Sequence, residues 1–316
     1  VGGDLRGAYF FTRPGERTPT NPGTSTFFLM QADLYLTGQL SDYVTVSFDY
    51  GKTRIEAFGM VHTADRDLWL KVGQFVMPYG LRYANHKVFV RETTGFNPAG
   101  DYRGLDTGLE AGASLGPFNL IAAVANGKPP GGSSALDDNE SKAVYAKAEY
   151  RLGGDGLKLR TGLSGALNLA GRQIITSENG TRSLVEDTRV YTRQAGAYIG
   201  ATLGRLTYLG EVDVTQRVDY STDRNSLKTT TERELGYSSF QELSFLVVQG
   251  LDVQTMLEYR DPSLRYTGPS ITRVGGGFEF FPLPMMEWKL LYRHTLARQL
   301  PVDGTHELFT YLHFFL

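Results

Sequence analysis

The chain has no cysteine among its 316 residues, which excludes disulfides, thiolate metal sites and covalently attached haem. It has no apolar run approaching the roughly 20 residues that a spanning helix needs, and its mean hydropathy is −0.25. A strong charge of one sign is absent as well. A net charge of −2 gives no reason to expect a nucleic-acid surface or an anionic membrane partner. The first residues, VGGDLRGAYFF, show neither the basic start nor the unbroken apolar core of a signal peptide, so an exported form has already lost its signal. These absences leave two candidates: a soluble all-β protein, and a transmembrane β-barrel, whose hydropathy is weak by construction.

What is abundant points to strands. Glycine reaches 37 residues, and tyrosine and phenylalanine 18 each. Apolar residues recur with a period of two, the strand signal, and no long window shows the 3.6-residue recurrence of a helix. In LDVQTMLEYR, Leu251, Val253, Thr255, Leu257 and Tyr259 fall on one face, with Asp252, Gln254, Met256, Glu258 and Arg260 on the other. AVYAKAEYRL sets Val144, Ala146, Ala148, Tyr150 and Leu152 against Tyr145, Lys147, Glu149 and Arg151. MEWKLLYRH sets Trp288, Leu290 and Tyr292 against Glu287, Lys289, Leu291 and Arg293.

About sixteen such segments can be counted, near 3–13, 26–39, 43–51, 53–62, 67–76, 104–115, 117–127, 141–152, 157–170, 187–202, 205–218, 231–248, 251–261, 269–281, 285–297 and 306–316. Short connections such as LGP, LGR and VQG alternate with longer ones such as KPPGGSSALDDN (128–139), GRQIITSENGTRSLVE (171–186) and DYSTDRNSLKT (219–229). The GK turn at 51–52 is the exception. This rhythm describes an up-and-down antiparallel meander over residues 1–316 as a single domain, with its two ends in different compartments.

A soluble sheet of about sixteen strands is too wide for one chain with no second layer, and a barrel of that size is too wide for side chains to fill. The polar faces then suit a water-filled lumen, and the apolar faces suit lipid. The lumen-lining residues expected on this reading are Lys147, Arg151, Lys158, Arg160, Glu258, Arg260, Lys289 and Arg293, wet rather than packed, with Asp33, Asp49, Glu110, Glu211 and Asp213 beside them. HELFTYLHFFL ends with Leu308, Thr310, Leu312, Phe314 and Leu316 on one face, and it resembles the terminal strand of bacterial outer-membrane proteins.

Between residues 77 and 103 the period breaks. Pro78 and Gly80 turn the chain off its strand, Pro98 and Gly100 turn it back, and a long aperiodic loop in a compact protein is uncommon unless functional. The stretch GQFVMPYGLR, residues 73–82, resembles a segment of the phosphate-selective porin O and P family of bacterial outer membranes. General porins of sixteen strands fold the corresponding third long loop into the lumen. The resemblance implies a transmembrane barrel in the outer membrane with 77–103 as a constriction loop, where Arg82, Lys87, Arg91 and Arg103 act among Glu92 and Asp101. It also implies diffusion of small hydrophilic solutes or ions, leaning towards anions, with a homotrimer as the usual assembly.

Other function classes find less support. The five histidines (His62, His86, His294, His306, His313) show no ligand spacing, and no cofactor or metal is expected. No Ser/His/Asp set reads as a triad, which leaves an outer-membrane hydrolase unsupported. Gly275-Gly276-Gly277 lacks the strand–turn–helix setting of a phosphate loop and suits close backbone packing in a wall. The alternative that stays open is a barrel scaffold holding a partner protein in its lumen or at the outer membrane.

Overall fold

The computed structural model describes residues 1–15, 23–51, 55–81, 90, 105–127, 141–154, 156–168, 171–178, 181–223, 229–265, 270–297 and 303–316, with backbone alone at 171–178, 181–190, 219–223 and 229–230. The described strands are β1 (Gly2–Arg13), β2 (Thr24–Ser41), β3 (Val44–Gly51), β4 (Ile55–His62), β5 (Leu68–Val76), β6 (Leu105–Leu115), β7 (Phe118–Ala125), β8 (Ala143–Gly153), β9 (Leu157–Asn168), β10 (Gly171–Glu178), β11 (Thr181–Leu203), β12 (Leu206–Asp223), β13 (Thr229–Val248), β14 (Leu251–Asp261), β15 (Ile271–Leu283), β16 (Met286–Leu296) and β17 (His306–Phe315).

Every pairing is antiparallel, and strands consecutive in the chain are neighbours in the sheet except β9 and β10. The sheet closes on itself, because β1 pairs with β17 from Asp4↔Phe315 to Arg13↔His306. β9 pairs with Thr192–Leu203 of β11, while β10 pairs with its Thr181–Arg189 half. β9 and β10 therefore share one position in the wall. The result is a closed antiparallel barrel of sixteen wall positions.

Burial is inverted relative to a soluble protein. Outward-facing Leu34, Leu36, Phe48, Tyr50, Leu163, Leu257, Tyr292 and Phe314 are exposed. Inward-facing Asp33, Glu110, Glu149, Glu211, Glu258 and Arg293 are buried. Only an apolar surrounding makes that arrangement favourable, since a wall of exposed Leu, Phe and Val would otherwise drive association.

The short turns bend tightly. Gly116, Gly204 and Gly250 take positive φ (60°, 58° and 87°), and Met285 and Arg66 do so without being glycine. In the 63–67 turn, the hydroxyl of Thr63 and the N–H of Asp67 bond the Asp65 carboxylate and hold its pKa below the ordinary value.

Two sequence expectations need correction. The segments read as loops at 171–186 and 219–229 contain strand: β10 and the first half of β11 form a hairpin, and β12 and β13 run well past the wall. Their sequences carry Thr, Val and Ile, which keep strand propensity. The apolar–polar alternation that marks the other strands is absent from these sequences, and a period-two reading passes over them.

Candidate functional site

Inside the barrel, the chain leaves β5 at Val76 and lies against distant strands. Tyr79 donates its hydroxyl to Asp213 Oδ1 on β12 at 2.9 Å. The Gly80 N–H bonds Ser164 Oγ on β9 at 3.1 Å, and the Leu81 N–H bonds Glu211 Oε2 on β12 at 2.7 Å. From β8, Lys147 Nζ donates to the Gly80 carbonyl at 2.6 Å. Gly80 is demanded here on two grounds: its φ is +52°, and a Cβ would meet Glu211 Oε1 at 2.0 Å. Gly196 on β11 opens the space for its neighbours, since a Cβ there would meet Asp213 Oδ1 at 2.0 Å.

Beneath this crossing lies an apolar pad. Phe75, Met77, Ala123, Ala125, Ala143 and Tyr145 are buried together, with Phe58 and Ala166 against them. Val90 is buried against Phe240 of β13, with Leu209 alongside. Part of the lumen is therefore filled and dry. Sequence reading missed this pad because Tyr145 shares its face of the strand with Lys147, Glu149 and Arg151, the face expected to meet water.

The charges of the inner wall fall into two kinds. One kind is packed into ion pairs. Arg273 makes a bidentate pair with Glu258 (Nε–Oε1 2.9 Å, Nη2–Oε2 2.8 Å). Arg293 Nη2 lies 2.9 Å from Glu307 Oε2, and Lys71 Nζ lies 2.8 Å from Glu110 Oε1. Lys289 bonds Glu279. Glu149 gathers Arg160 Nε at 2.6 Å and Tyr198 Oη at 2.7 Å, together with Arg151 and Lys147. The expectation that Lys147, Glu258, Lys289, Arg293, Asp33, Asp49, Glu110, Glu211 and Asp213 are wet is thus corrected: Lys147 is half-buried with only 9% of its side chain exposed, and the others are buried. For Glu258, Lys289, Arg293 and Glu110 the reason is cross-strand register, which sets each beside an opposite charge. Lys147, Glu211 and Asp213 lie against the segment 77–81, and Asp33 accepts from the Gln31 amide at 2.6 Å.

The second kind reaches water, two of its members from the edge of the Glu149 cluster. Side-chain exposure is 58% for Arg151 and 43% for Arg160, and Lys158 is exposed beside them. These three stand at the short-turn end of β8 and β9, where Arg151↔Arg160 and Gly153↔Lys158 are direct pairs. Arg260 is half-buried on β14, with its Nε enclosed. The expected constriction residues Arg82, Lys87, Arg91, Glu92, Asp101 and Arg103 lie outside the described residues. Among the described residues, no group of three or more His, Asp or Glu side chains is placed to hold a metal ion.

Comparison with known proteins places the architecture. No family model matches the sequence, nor does any curated protein. Among solved structures, the chain is similar over its full length to an anion-selective porin from Comamonas acidovorans, with a TM-score of 0.65 and 10% identity over 98% of that chain. It is similar to OmpT, an outer membrane protein of Vibrio cholerae, with a TM-score of 0.65 and 11% identity over 96% of that chain. It is also similar to the outer membrane channel DcaP of Acinetobacter baumannii, with a TM-score of 0.62 and 10% identity over 96% of that chain. At such identities the likeness is one of fold: the chain has the porin-type barrel.

Proposed function

We propose that this protein is an integral outer-membrane porin, through which small hydrophilic solutes or ions diffuse passively, and that residues 77–103 form its constriction. The observation that carries the reading is the path of Met77–Leu81. Its backbone bonds Ser164 and Glu211 on the far side of the lumen, so the loop enters the channel at its root. A lipid-facing apolar exterior and the shared fold of outer-membrane channels support the location. A trimer is the assembly the fold analogy favours.

Anion preference rests on the neck. The wall carries acids at Asp4, Asp33, Asp49, Glu211, Asp213 and Glu287, so cations must dominate elsewhere for anions to be favoured. Arg82, Lys87, Arg91 and Arg103 supply them in the proposed constriction, with Glu92 and Asp101 in partial opposition. A narrow neck has little water to screen fixed charge, which lets a few cations outweigh a wide wall.

The test is conductance and reversal potential in a planar bilayer under a salt gradient. Replacing Arg82, Lys87 and Arg91 together by Ala should move the reversal potential towards cations, most at low salt. Deleting 84–97 should raise conductance. Unchanged conductance in a folded barrel would place the loop outside the channel, and a barrel that conducts only after a partner is stripped away would favour the scaffold.

A further inference from the structure

The outer face of the wall changes character at one place on its long-loop rim. Going up β16, the outward residues are Trp288, Leu290, Tyr292 and His294, and β17 meets them in direct register, with Tyr292↔Leu308 and His294↔His306. β1 continues both rows, as Phe11↔Leu308 and Arg13↔His306. A row of Phe11, Leu308 and Tyr292 is therefore followed, one rung higher, by a row of Arg13, His306 and His294. Apolar wall gives way to three nitrogen-bearing side chains across three adjacent strands.

The row is organised. The His294 and His306 rings stack with centroids 4.5 Å apart and planes 28° apart. Tyr292 Oη lies 2.6 Å from His306 Nδ1. Arg13 is exposed and, among the described residues, its guanidinium has no hydrogen-bond or ion-pair partner, while His294 is half-buried with its Nδ1 enclosed. Among the described residues the nearby acids are turned elsewhere: Asp303 accepts the Ala297 N–H at 2.7 Å, and Glu307 faces inward to Arg293. The flanking outward residues Val274 and Thr272 on β15 carry no charge.

We propose that Arg13, His306 and His294 form a binding site for the phosphate headgroup of an anionic membrane lipid, on the outside of the barrel. The proposal rests on the reading that this wall spans a membrane. Phosphate oxygens accept from a guanidinium and from imidazole N–H groups, and a fixed cation at the edge of the apolar band is where such a headgroup lies. A lipid anchored there lays its acyl chains down over Tyr292, Leu290 and Trp288. Trp288 is six positions from His294, roughly 20 Å along the strand.

That geometry supplies the assay. The chain has two tryptophans. Trp69 faces inward and bonds Glu110, whereas Trp288 faces out, bonds Thr310 and will report brominated acyl chains by fluorescence quenching. In phosphatidylcholine vesicles, brominated phosphatidic acid should quench the folded protein with about tenfold preference over brominated phosphatidylcholine. Replacing Arg13, His294 and His306 together by Ala should bring that preference close to parity. Arg205→Ala, which removes a cation at the opposite rim, should leave it intact. Inorganic phosphate, balanced against chloride at equal ionic strength, should not change it.

A preference that survives the triple substitution overturns the site, as does equal quenching by the two lipids in the inserted, conducting wild-type protein. Loss of preference with inorganic phosphate would assign the row to free phosphate and overturn the lipid. Wild-type protein that fails to insert into vesicles would remove the channel reading, and this site with it.

Discussion

Tyr79 and Asp213 stand 134 residues apart in sequence, and the tyrosine hydroxyl donates to the aspartate carboxylate at 2.9 Å across the barrel interior. The bond ties the segment leaving β5 to β12. Tyr79→Phe keeps the ring and removes the donor to a buried carboxylate, at a cost of about 1–3 kcal/mol. The unfolding midpoint in denaturant should fall accordingly, and single-channel current should become noisier as the segment loosens. A variant with unchanged midpoint and noise would show that this bond does not hold the segment.

Two glycines with similar backbones separate strain from crowding. Gly80 and Gly116 have φ of +52° and +60°, but a Cβ on Gly116 meets nothing within 4 Å, whereas one on Gly80 meets Glu211. Gly116→Ala should cost about 1 kcal/mol from backbone strain alone. Gly80→Ala adds displacement of Glu211 and loss of its bond to the Leu81 N–H. It should therefore destabilise more and also raise conductance. Equal effects of the two substitutions, measured by denaturant unfolding, would contradict the crowding.

Adjacent residues on β14 test the two faces of the wall. Leu257→Arg sets a charge on the outer face and should cost roughly 2–4 kcal/mol at mid-membrane depth. The sequence pattern marks Glu258 as a water-facing residue whose charge could be reversed freely, but its side chain is fully buried against Arg273. Glu258→Arg should consequently damage folding too, by placing two cations together, while Glu258→Gln should cost about 3–5 kcal/mol. Refolding yield into detergent micelles checks all three.

Ion preference should follow exposure. Lys158→Glu reverses a solvated charge at the short-turn mouth, and should shift the reversal potential towards cations while leaving the unfolding midpoint nearly unchanged; Arg151 also bonds the buried Glu149 and is not free to be reversed. Lys289→Ala removes the partner of Glu279 inside the wall and should lower the midpoint. The opposite pattern would mean that the packed pairs, not the solvated cations, meet the ions.

Orientation is open to labelling. Leu264 is 53% exposed beyond the long-loop end of β14, and Asp42 lies in the short turn between β2 and β3. Leu264→Cys should react with an impermeant thiol reagent on intact cells, and Asp42→Cys only after lysis. Reversed labelling would invert the barrel in the membrane.

Much of the wall was legible because lipid enforces a local pattern. Alternation in 251–261, 143–152 and 286–294 placed Leu257, Val144 and Trp288 outside and Glu258, Lys147 and Lys289 inside, as found. Whether an inward charge is wet was not legible. Glu258 is dry because Arg273 is its cross-strand partner, and Lys147 because Gly80 arrives from 67 residues away. Both facts depend on register and on the path of a loop, which no local period encodes. The polar hairpin of β10 and β11 was missed for the converse reason: its backbone pairs as strand while its sequence lacks the apolar–polar alternation that makes a strand visible.

Closure through β1 and β17 also has a kinetic meaning. Each other seam joins segments nearer in sequence, most of them as hairpins, but Asp4↔Phe315 and Arg13↔His306 join residues about 300 positions apart. Until that last seam forms, both strands present unpaired N–H and C=O groups, which lipid cannot satisfy and a second chain could. Folding is then slow by topology, because the entropy of the longest loop must be lost before its pairing gains anything. Protection of the two end strands during assembly, more than the stability of the finished wall, should govern how much protein reaches the membrane.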